Sequence, residues 1–196
     1  MNLANKLTVI RILLVPIFLV LITLKTPLGT IFATIVFVVA SLTDKLDGYI
    51  ARSRNQVTTF GKFMDPLADK LLVTSALVSL VELQVIPAWV AMIIIAREFA
   101  VSGLRTLAAS EGVIIAASNW GKTKTVIQII AIIAGLITLS YDSYIIEIIT
   151  SISMGLAVVI TIISGIDYFY KNRKIIKMEK WLKIFKMAII KRSSCL

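Results

Sequence analysis

The chain has 196 residues, of which 58% are hydrophobic and 16% charged, and its net charge is +10. Its mean hydropathy of +0.93 is far above that of a soluble domain and predicts an integral membrane protein. The sequence contains no histidine and one cysteine, Cys195. These counts exclude a histidine base, a Ser-His or Cys-His nucleophile, a cysteine metal site and a disulfide framework. Acid–base or metal chemistry must therefore use carboxylates, which favour Mg²⁺, Mn²⁺ or Ca²⁺.

Six apolar segments follow one another along the chain. Each is close to the roughly 20 residues that a membrane-spanning helix needs. They predict an all-α integral membrane protein whose six transmembrane helices form one domain over residues 1–170. The segments cover residues 7–25, 28–51, 60–82, 86–109, 120–140 and 144–170.

Lysine and arginine are distributed unequally between the two ends of these segments. Of the 21 in the chain, only Lys25 lies in the turns at 25–28, 82–87 and 140–144. The positive-inside rule therefore places both termini, and the link between the second and third segments, on the cytoplasmic side of the cell membrane. A basic rim of this kind predicts anionic membrane lipids as partners and requires no nucleic acid.

A segment of different composition begins at residue 171. Nine of the lysines and arginines follow residue 170. At the helical step of 100° per residue, Trp181, Leu182 and Phe185 fall on one face. Residues 171–196 are therefore predicted to form a basic amphipathic helix in the plane of the inner membrane surface. The alternative is a charged tail without fixed structure.

Four aspartates interrupt the apolar pattern around the link between the second and third segments. Asp44 and Asp47 are three residues apart, and Asp65 and Asp69 are four apart, so each pair stacks on one helix face. An ionisable group at membrane depth costs roughly 2.5 kcal/mol or more. Four carboxylates on facing helices repel one another unless cations intervene, so the pattern predicts a site for one or two divalent metal ions. The alternative is that they cap helix ends and pair with neighbouring lysines.

Two glycines and an arginine accompany the aspartates. Gly48 and Gly61 leave room for a ligand to approach the helix backbone closely. Arg52, one helical turn beyond Gly48, can bind a phosphate with its planar guanidinium. Together with a metal ion, these residues predict a pyrophosphate-binding site on the cytoplasmic side.

The pattern Asp-x2-Asp-Gly-x2-Ala-Arg-x8-Gly-x3-Asp-x3-Asp, over residues 44–69, resembles the signature of the CDP-alcohol phosphotransferase family. The resemblance implies a six-span enzyme that transfers a phosphatidyl group from CDP-diacylglycerol to an alcohol and releases CMP. It implies that Asp69 deprotonates the acceptor hydroxyl while also touching metal, and it alone suggests a homodimer. By the same resemblance the ligands of Mg²⁺ or Mn²⁺ are Asp44, Asp47 and Asp65, and donor contacts come from Gly48, Arg52 and Gly61.

The N-terminal segment Asn5-Lys-Leu-Thr8-Val-Ile-Arg11 resembles a second element of the family, Asn-x-Leu-Thr-x-x-Arg, which lies near the nucleotide. The resemblance implies that Asn5, Thr8 and Arg11 also contact the donor. Many relatives have proline before this asparagine, whereas this chain has Ala4. An ordinary interfacial helix start is the alternative. Thr58, in the link, is a further candidate for a phosphate contact.

Cations within the fourth and fifth segments predict the charge of the acceptor. Cations this far into apolar helices face a cavity in most proteins, and an anionic acceptor would need them. The stretches Arg97-Glu98-Phe99 and Gly121-Lys122-Thr-Lys124-Thr125 resemble the branch of the family that accepts sn-glycerol 3-phosphate. This implies that Arg105 and Lys122 bind the acceptor phosphate, with Arg97 and Lys124 as alternates. In the alternative, Glu98 pairs with Arg97 and Lys124 is an interfacial lysine.

Two other functions remain open at this point. Within the family, the acceptor could be inositol phosphate or serine. Outside it, the four aspartates could form the cation site of a transport protein. The sequence has no inverted repeat and no pair of Gly/Pro-broken helices in matching halves, which disfavours transport.

Overall fold

A computed structural model describes the backbone of residues 3–53, 59–110, 115, 119–141 and 143–173. Side chains are described for residues 8–43, 64, 67–68, 70–109, 115, 120–141 and 143–173. This part of the chain is entirely helical outside its turns, which confirms the predicted all-α class. Its six helices are α1 (Leu3–Thr23), α2 (Pro27–Ser53), α3 (Thr59–Glu82), α4 (Ala88–Ser110), α5 (Asn119–Thr138) and α6 (Tyr144–Lys171).

Short turns join α1 to α2 and α3 to α4. Thr26 caps α2, because its hydroxyl accepts a hydrogen bond of 3.1 Å from the backbone N–H of Gly29. Pro27 follows as the first helical residue, where its missing N–H costs nothing. In the second turn Gln84 has a φ of 60°, and the backbone N–H of Val85 donates a hydrogen bond of 2.9 Å to the Leu80 carbonyl. These tight connections make the joined helices antiparallel neighbours.

The main core contains buried side chains from all six helices. The helix α1 packs against α2 and α3, and α5 packs against α2, α3 and α6. Phe18 of α1 and Phe37 of α2 are fully buried, with ring centroids 6.2 Å apart. Gly135 of α5 permits close packing on α3, because a Cβ there would lie 3.0 Å from Leu80 Cδ1. The helix α4 packs at the side of this core, against α3 and α6.

Two helices of the described part are long and apolar enough to cross a membrane. They are Trp120–Thr138 in α5 and Tyr144–Lys171, which is α6. Two shorter apolar stretches, Thr8–Thr23 and Pro27–Thr43, belong to α1 and α2. Large apolar side chains such as Ile145, Ile152 and Ile166 of α6 are at least 60% exposed. A continuous apolar surface of this kind is suited to contact with lipid.

Residues 174–196 lie outside the described residues, and so does the link between α2 and α3, residues 54–58. The amphipathic helix expected over residues 171–196 therefore stays a prediction, as does the boundary between the two predicted domains. In the described part, α6 continues as one helix to Lys171.

Candidate active site

The four aspartates belong to two helices that pack against each other. Asp44 and Asp47 lie in the second half of α2, and Asp65 and Asp69 lie in the first half of α3. Both pairs have helical backbone, so the expected spacing of three and four residues along one face is present. Their side chains are outside the described part of the chain, and their roles as ligands and base stay predictions.

The other residues of the motif also occupy these two helices. Gly48 and Arg52 lie on α2 beyond Asp47, and Gly61 lies in the first turn of α3. Their side-chain surroundings, and Thr58 as a whole, lie outside the described residues. Hence the donor contacts predicted for these four positions remain untested.

The donor set fits a hard divalent cation. Asp and Glu oxygens are the ligands that Mg²⁺ and Mn²⁺ prefer, and two packed helices each contribute two aspartates here. The described side chains contain no group of three or more His, Cys, Asp or Glu residues that could hold a metal ion, but these four aspartates are not among them. The helices α2 and α3 are therefore where a metal site is expected.

On α1, the structure buries two of the three residues predicted near the nucleotide. Thr8 and Arg11 are both 0% exposed, and Arg11 is the largest fully buried side chain in the described part. Their spacing of three residues places them on one face of α1. Asn5 lies in the same helix, with its side chain outside the described residues. A buried arginine within an apolar helix is a strong indication of a functional site.

Two arginines of α4 are bound to polar side chains of α6. Arg97 Nη2 donates a hydrogen bond of 2.6 Å to Ser164 Oγ. Eight residues further along α4, Arg105 Nε donates one of 2.9 Å to the hydroxyl of Tyr168. The guanidinium carbon of Arg105 also lies 5.4 Å from the centroid of the Tyr168 ring. Arg105 is itself exposed.

A third polar link joins α4 to α5. Lys124 Nζ forms an ion pair with Glu98 Oε1, and Lys124 is 0% exposed whereas the Glu98 side chain is 23% exposed. Glu98 thus pairs with Lys124 of the neighbouring helix, and its alternative pairing with Arg97 is not observed. Lys122, two residues before Lys124, is exposed at the start of α5.

Within the described residues the backbones of α4 and α5 do not approach each other closely, and the Glu98–Lys124 ion pair links the two helices. Arg105 lies near the end of α4 and Lys122 near the start of α5. Gln128 of α5 is buried, and its Oε1 has no hydrogen-bond partner among the described residues. Of the four predicted cations, Arg97 and Arg105 thus bond to α6, Lys124 pairs with Glu98 of α4, and Lys122 is exposed near the start of α5. The surplus of positive charge favours an anionic ligand.

Residues 1–163 match the family model described as CDP-alcohol phosphatidyltransferase. The chain belongs to this family. It is 43% identical over 188 residues to the CDP-diacylglycerol–glycerol-3-phosphate 3-phosphatidyltransferase of Bacillus subtilis, a match that covers 90% of this chain and 97% of the relative. A protein of the same name from Rickettsia bellii is 40% identical to this chain over 175 residues, and the match covers 88% of this chain and 96% of the relative. A third, from Haemophilus influenzae, is 40% identical over 174 residues, and the match covers 85% of this chain and 91% of the relative.

Membership of the CDP-alcohol phosphatidyltransferase family confirms the resemblance predicted from the aspartate pattern. Two polar partners in the site were nevertheless missed by sequence reasoning. Ser164 and Tyr168 lie just beyond the matched range, within a predominantly apolar helix. Their spacing of four residues on one face of α6 was an available signal, because buried polar groups in an apolar helix usually bond to another helix.

Proposed function

We propose that this chain transfers the phosphatidyl group of CDP-diacylglycerol to sn-glycerol 3-phosphate, giving phosphatidylglycerophosphate and CMP. The observation that carries this proposal is the group of cations on α4 and α5, in which Arg105 bonds to Tyr168 and both Arg105 and Lys122 are exposed. A phosphate-bearing acceptor satisfies such a cluster, whereas a neutral alcohol leaves it uncompensated. The similarity of about 40% to relatives named for this reaction supports the same acceptor.

For the metal, we propose that Asp44, Asp47, Asp65 and Asp69 hold one or two Mg²⁺ or Mn²⁺ ions. When bound, such ions polarise a pyrophosphate and neutralise the charge of leaving CMP. The four carboxylates supply up to four negative charges for this purpose. The proposed site therefore lies on α2 and α3, the helices that also carry Gly48 and Gly61.

In the transfer step, the hydroxyl oxygen of glycerol 3-phosphate bonds to the phosphorus that carries diacylglycerol. The bond from that phosphorus to the oxygen of CMP breaks, and CMP leaves. Asp69 accepts the hydroxyl proton, since a chain without histidine relies on a carboxylate base. Arg105 and Lys122 hold the acceptor phosphate so that its hydroxyl reaches the donor, and orientation of this kind lowers the entropic part of the barrier.

Donor binding is proposed to use residues of α1, α2 and α3. A planar guanidinium suits a pyrophosphate, so Arg11 and Arg52 are the cationic contacts. Glycines at positions 48 and 61 leave the backbone accessible to the donor. The remaining proposed contacts are Asn5, Thr8 and Thr58.

We further propose that all six helices span the cell membrane, with both termini and the active site on the cytoplasmic side, and that the enzyme is a homodimer among anionic lipids. The topology rests on the charge distribution, in which Lys25 alone lies in the turns at 25–28, 82–87 and 140–144. The amphipathic tail over residues 171–196 would rest on the inner surface.

The topology is testable with single cysteines. Cysteines introduced at Ser53 and Ser143, in a Cys195→Ser background, are expected to react with an impermeant thiol reagent from opposite sides of sealed membrane vesicles. The reason is that an odd number of spans separates them in the six-span arrangement. Permeabilised vesicles, in which both should react, are the control. Labelling of both positions from the same side would contradict six spans.

The acceptor assignment predicts a specific kinetic change. Replacing Arg105 or Lys122 with Gln should raise the KM for glycerol 3-phosphate about ten- to hundredfold, because each variant loses a charged hydrogen bond of about 1.5–3 kcal/mol. The KM for CDP-diacylglycerol should change little. Lys25→Gln, in an exposed turn, is the matched control. An unchanged acceptor dependence in both variants would contradict the assignment.

A transfer assay separates the proposed reaction from the others considered. Purified protein is incubated with radiolabelled CDP-diacylglycerol and glycerol 3-phosphate, inositol phosphate or serine in turn, with and without Mg²⁺. Labelled phosphatidylglycerophosphate is expected only with glycerol 3-phosphate and metal. Transfer to inositol phosphate or serine would show that the proposed acceptor, glycerol 3-phosphate, is wrong. Absence of transfer to any alcohol would favour the cation-transport alternative.

A further inference from the structure

A groove of about 620 Å³ opens on the surface between α4 and α6. Ala96 and Ala100 of α4 and Gly165 of α6 line it, and their small side chains leave it open. Its volume is within the roughly 300–1,000 Å³ typical of ligand sites. Its walls are mainly apolar and include Ile93, Ile162, Ile166 and Phe169.

Two arginines and no acidic residue line this groove. Arg97 of α4 lies opposite Gly165 of α6, because a Cβ added to Gly165 would be 3.5 Å from Arg97 Cγ. Arg173 lies at the end of α6, with its guanidinium carbon 5.0 Å from the centroid of the Tyr170 ring. The groove therefore combines an apolar floor with positive charge, which complements an amphiphile that carries a negative charge.

The groove is separate from the proposed donor site. Within the described residues α2 packs against neither α4 nor α6, and the donor contacts belong to α1, α2 and α3. Arg173 is eight residues beyond Gly165, which corresponds to about 12 Å along the helix. Along this direction the groove presents the terminal cation Arg173 and then apolar side chains, among them Phe169, Ile166 and Ile162. A glycerophospholipid presents its phosphate and then its acyl chains in the same order.

We propose that this groove binds an anionic glycerophospholipid of the cytoplasmic leaflet that is distinct from the reacting donor. Its phosphate contacts Arg173, and an acyl chain lies against Ile93 of α4 and Ile162 of α6. The leaflet follows from the proposed topology, and the binding itself does not depend on catalysis.

Native mass spectrometry of the full chain in detergent tests this binding without either substrate. The protein is mixed with equal amounts of dioleoylphosphatidylglycerol and dioleoylphosphatidylcholine, and retained lipids are counted. The wild type is expected to retain the anionic lipid about tenfold more than the zwitterionic one, since a charged hydrogen bond to phosphate has an effect of that size. Arg173→Gln should remove this preference, and Gly165→Leu should lower retention of both lipids.

Matched controls come from the same helix. Lys171→Gln removes an exposed cation that already pairs with Asp167, and Gly155→Leu adds the same side chain at an open position outside the groove. Both should behave as wild type. Ala100→Leu fills the groove from the opposite wall, so the result does not depend on one variant folding well.

Three results would overturn the proposal. The first is an unchanged lipid preference in Arg173→Gln. The second is a shift of the monomer–dimer equilibrium in Gly165→Leu and Ala100→Leu without loss of lipid, which would make the groove a subunit interface. The third is a rise in the KM for CDP-diacylglycerol in the filled variants, which would assign the groove to the donor's own chain. Since lipid retention is measured without substrates, its failure is distinguishable from failure of the proposed reaction.

Discussion

The Asp69→Asn variant is expected to lose about 10²–10⁴-fold in turnover while it still binds donor and metal. Asparagine keeps the shape of the side chain and one oxygen, but it cannot accept the proton of the acceptor hydroxyl. Positioned general-base catalysis typically contributes a factor of this size. The measurement combines the transfer rate at saturating substrates with CDP-diacylglycerol binding and a Mg²⁺ titration on the same preparation.

Asp47→Asn is the matched control for this variant, since it makes the same chemical change at a proposed metal ligand on the facing helix. It should weaken metal dependence and donor binding together, because it removes a charge that holds the ion. Near-normal turnover of Asp69→Asn at saturating Mg²⁺ would show that another carboxylate is the base. A cation-transport function predicts no such difference between the two positions.

Breaking the ion pair between Glu98 and Lys124 is expected to cause a large loss of stability. Glu98→Gln should lower the free energy of unfolding by about 3 kcal/mol, because it removes the carboxylate that neutralises a buried ammonium group. This value is at the lower end of the range for broken buried pairs, since Glu98 keeps some exposure. Unfolding of the purified protein in mixed detergent micelles, followed by circular dichroism, measures it.

The double variant Glu98→Gln/Lys124→Met is the control for the ion pair. With no buried charge left, most of the lost stability should return. Recovery would indicate that Lys124 acts chiefly by joining α5 to α4. A double variant that regains stability but has a KM for glycerol 3-phosphate raised about tenfold would instead assign Lys124 to the acceptor phosphate. Failure to regain stability would show that Lys124 has another essential contact.

Much of the candidate site could be predicted because its signals are local. The spacing of the aspartates from Asp44 to Asp69 is a property of the linear sequence. Helical periodicity then predicts that each pair lies on one face of its helix, and this prediction needs no knowledge of how the helices pack. The helices were predictable for the same reason, since the length and apolar character of each segment belong to that segment alone. Their observed bounds, such as Ala88–Ser110 for α4, lie within a few residues of the prediction.

Contacts between helices could not be predicted in the same way. Glu98 is adjacent to Arg97 in the sequence, yet it pairs with Lys124, because consecutive residues of a helix point in different directions. Similarly, the spacing of Ser164 and Tyr168 indicates an interhelical contact of α6, but it does not indicate that their partners are Arg97 and Arg105 of α4. That choice depends on which helices become neighbours.

The sequence by itself determined the family, the aspartate motif and the presence of cations in two apolar helices. These follow from residue identity and spacing, which do not change with the packing of the chain. Only the tertiary structure decided that Lys124 is paired with Glu98, that Tyr168 orients Arg105, and that a groove lies between α4 and α6. The physical reason is that pairing, orientation and open volume arise where separate helices meet, and that meeting depends on the side chains of several helices at once.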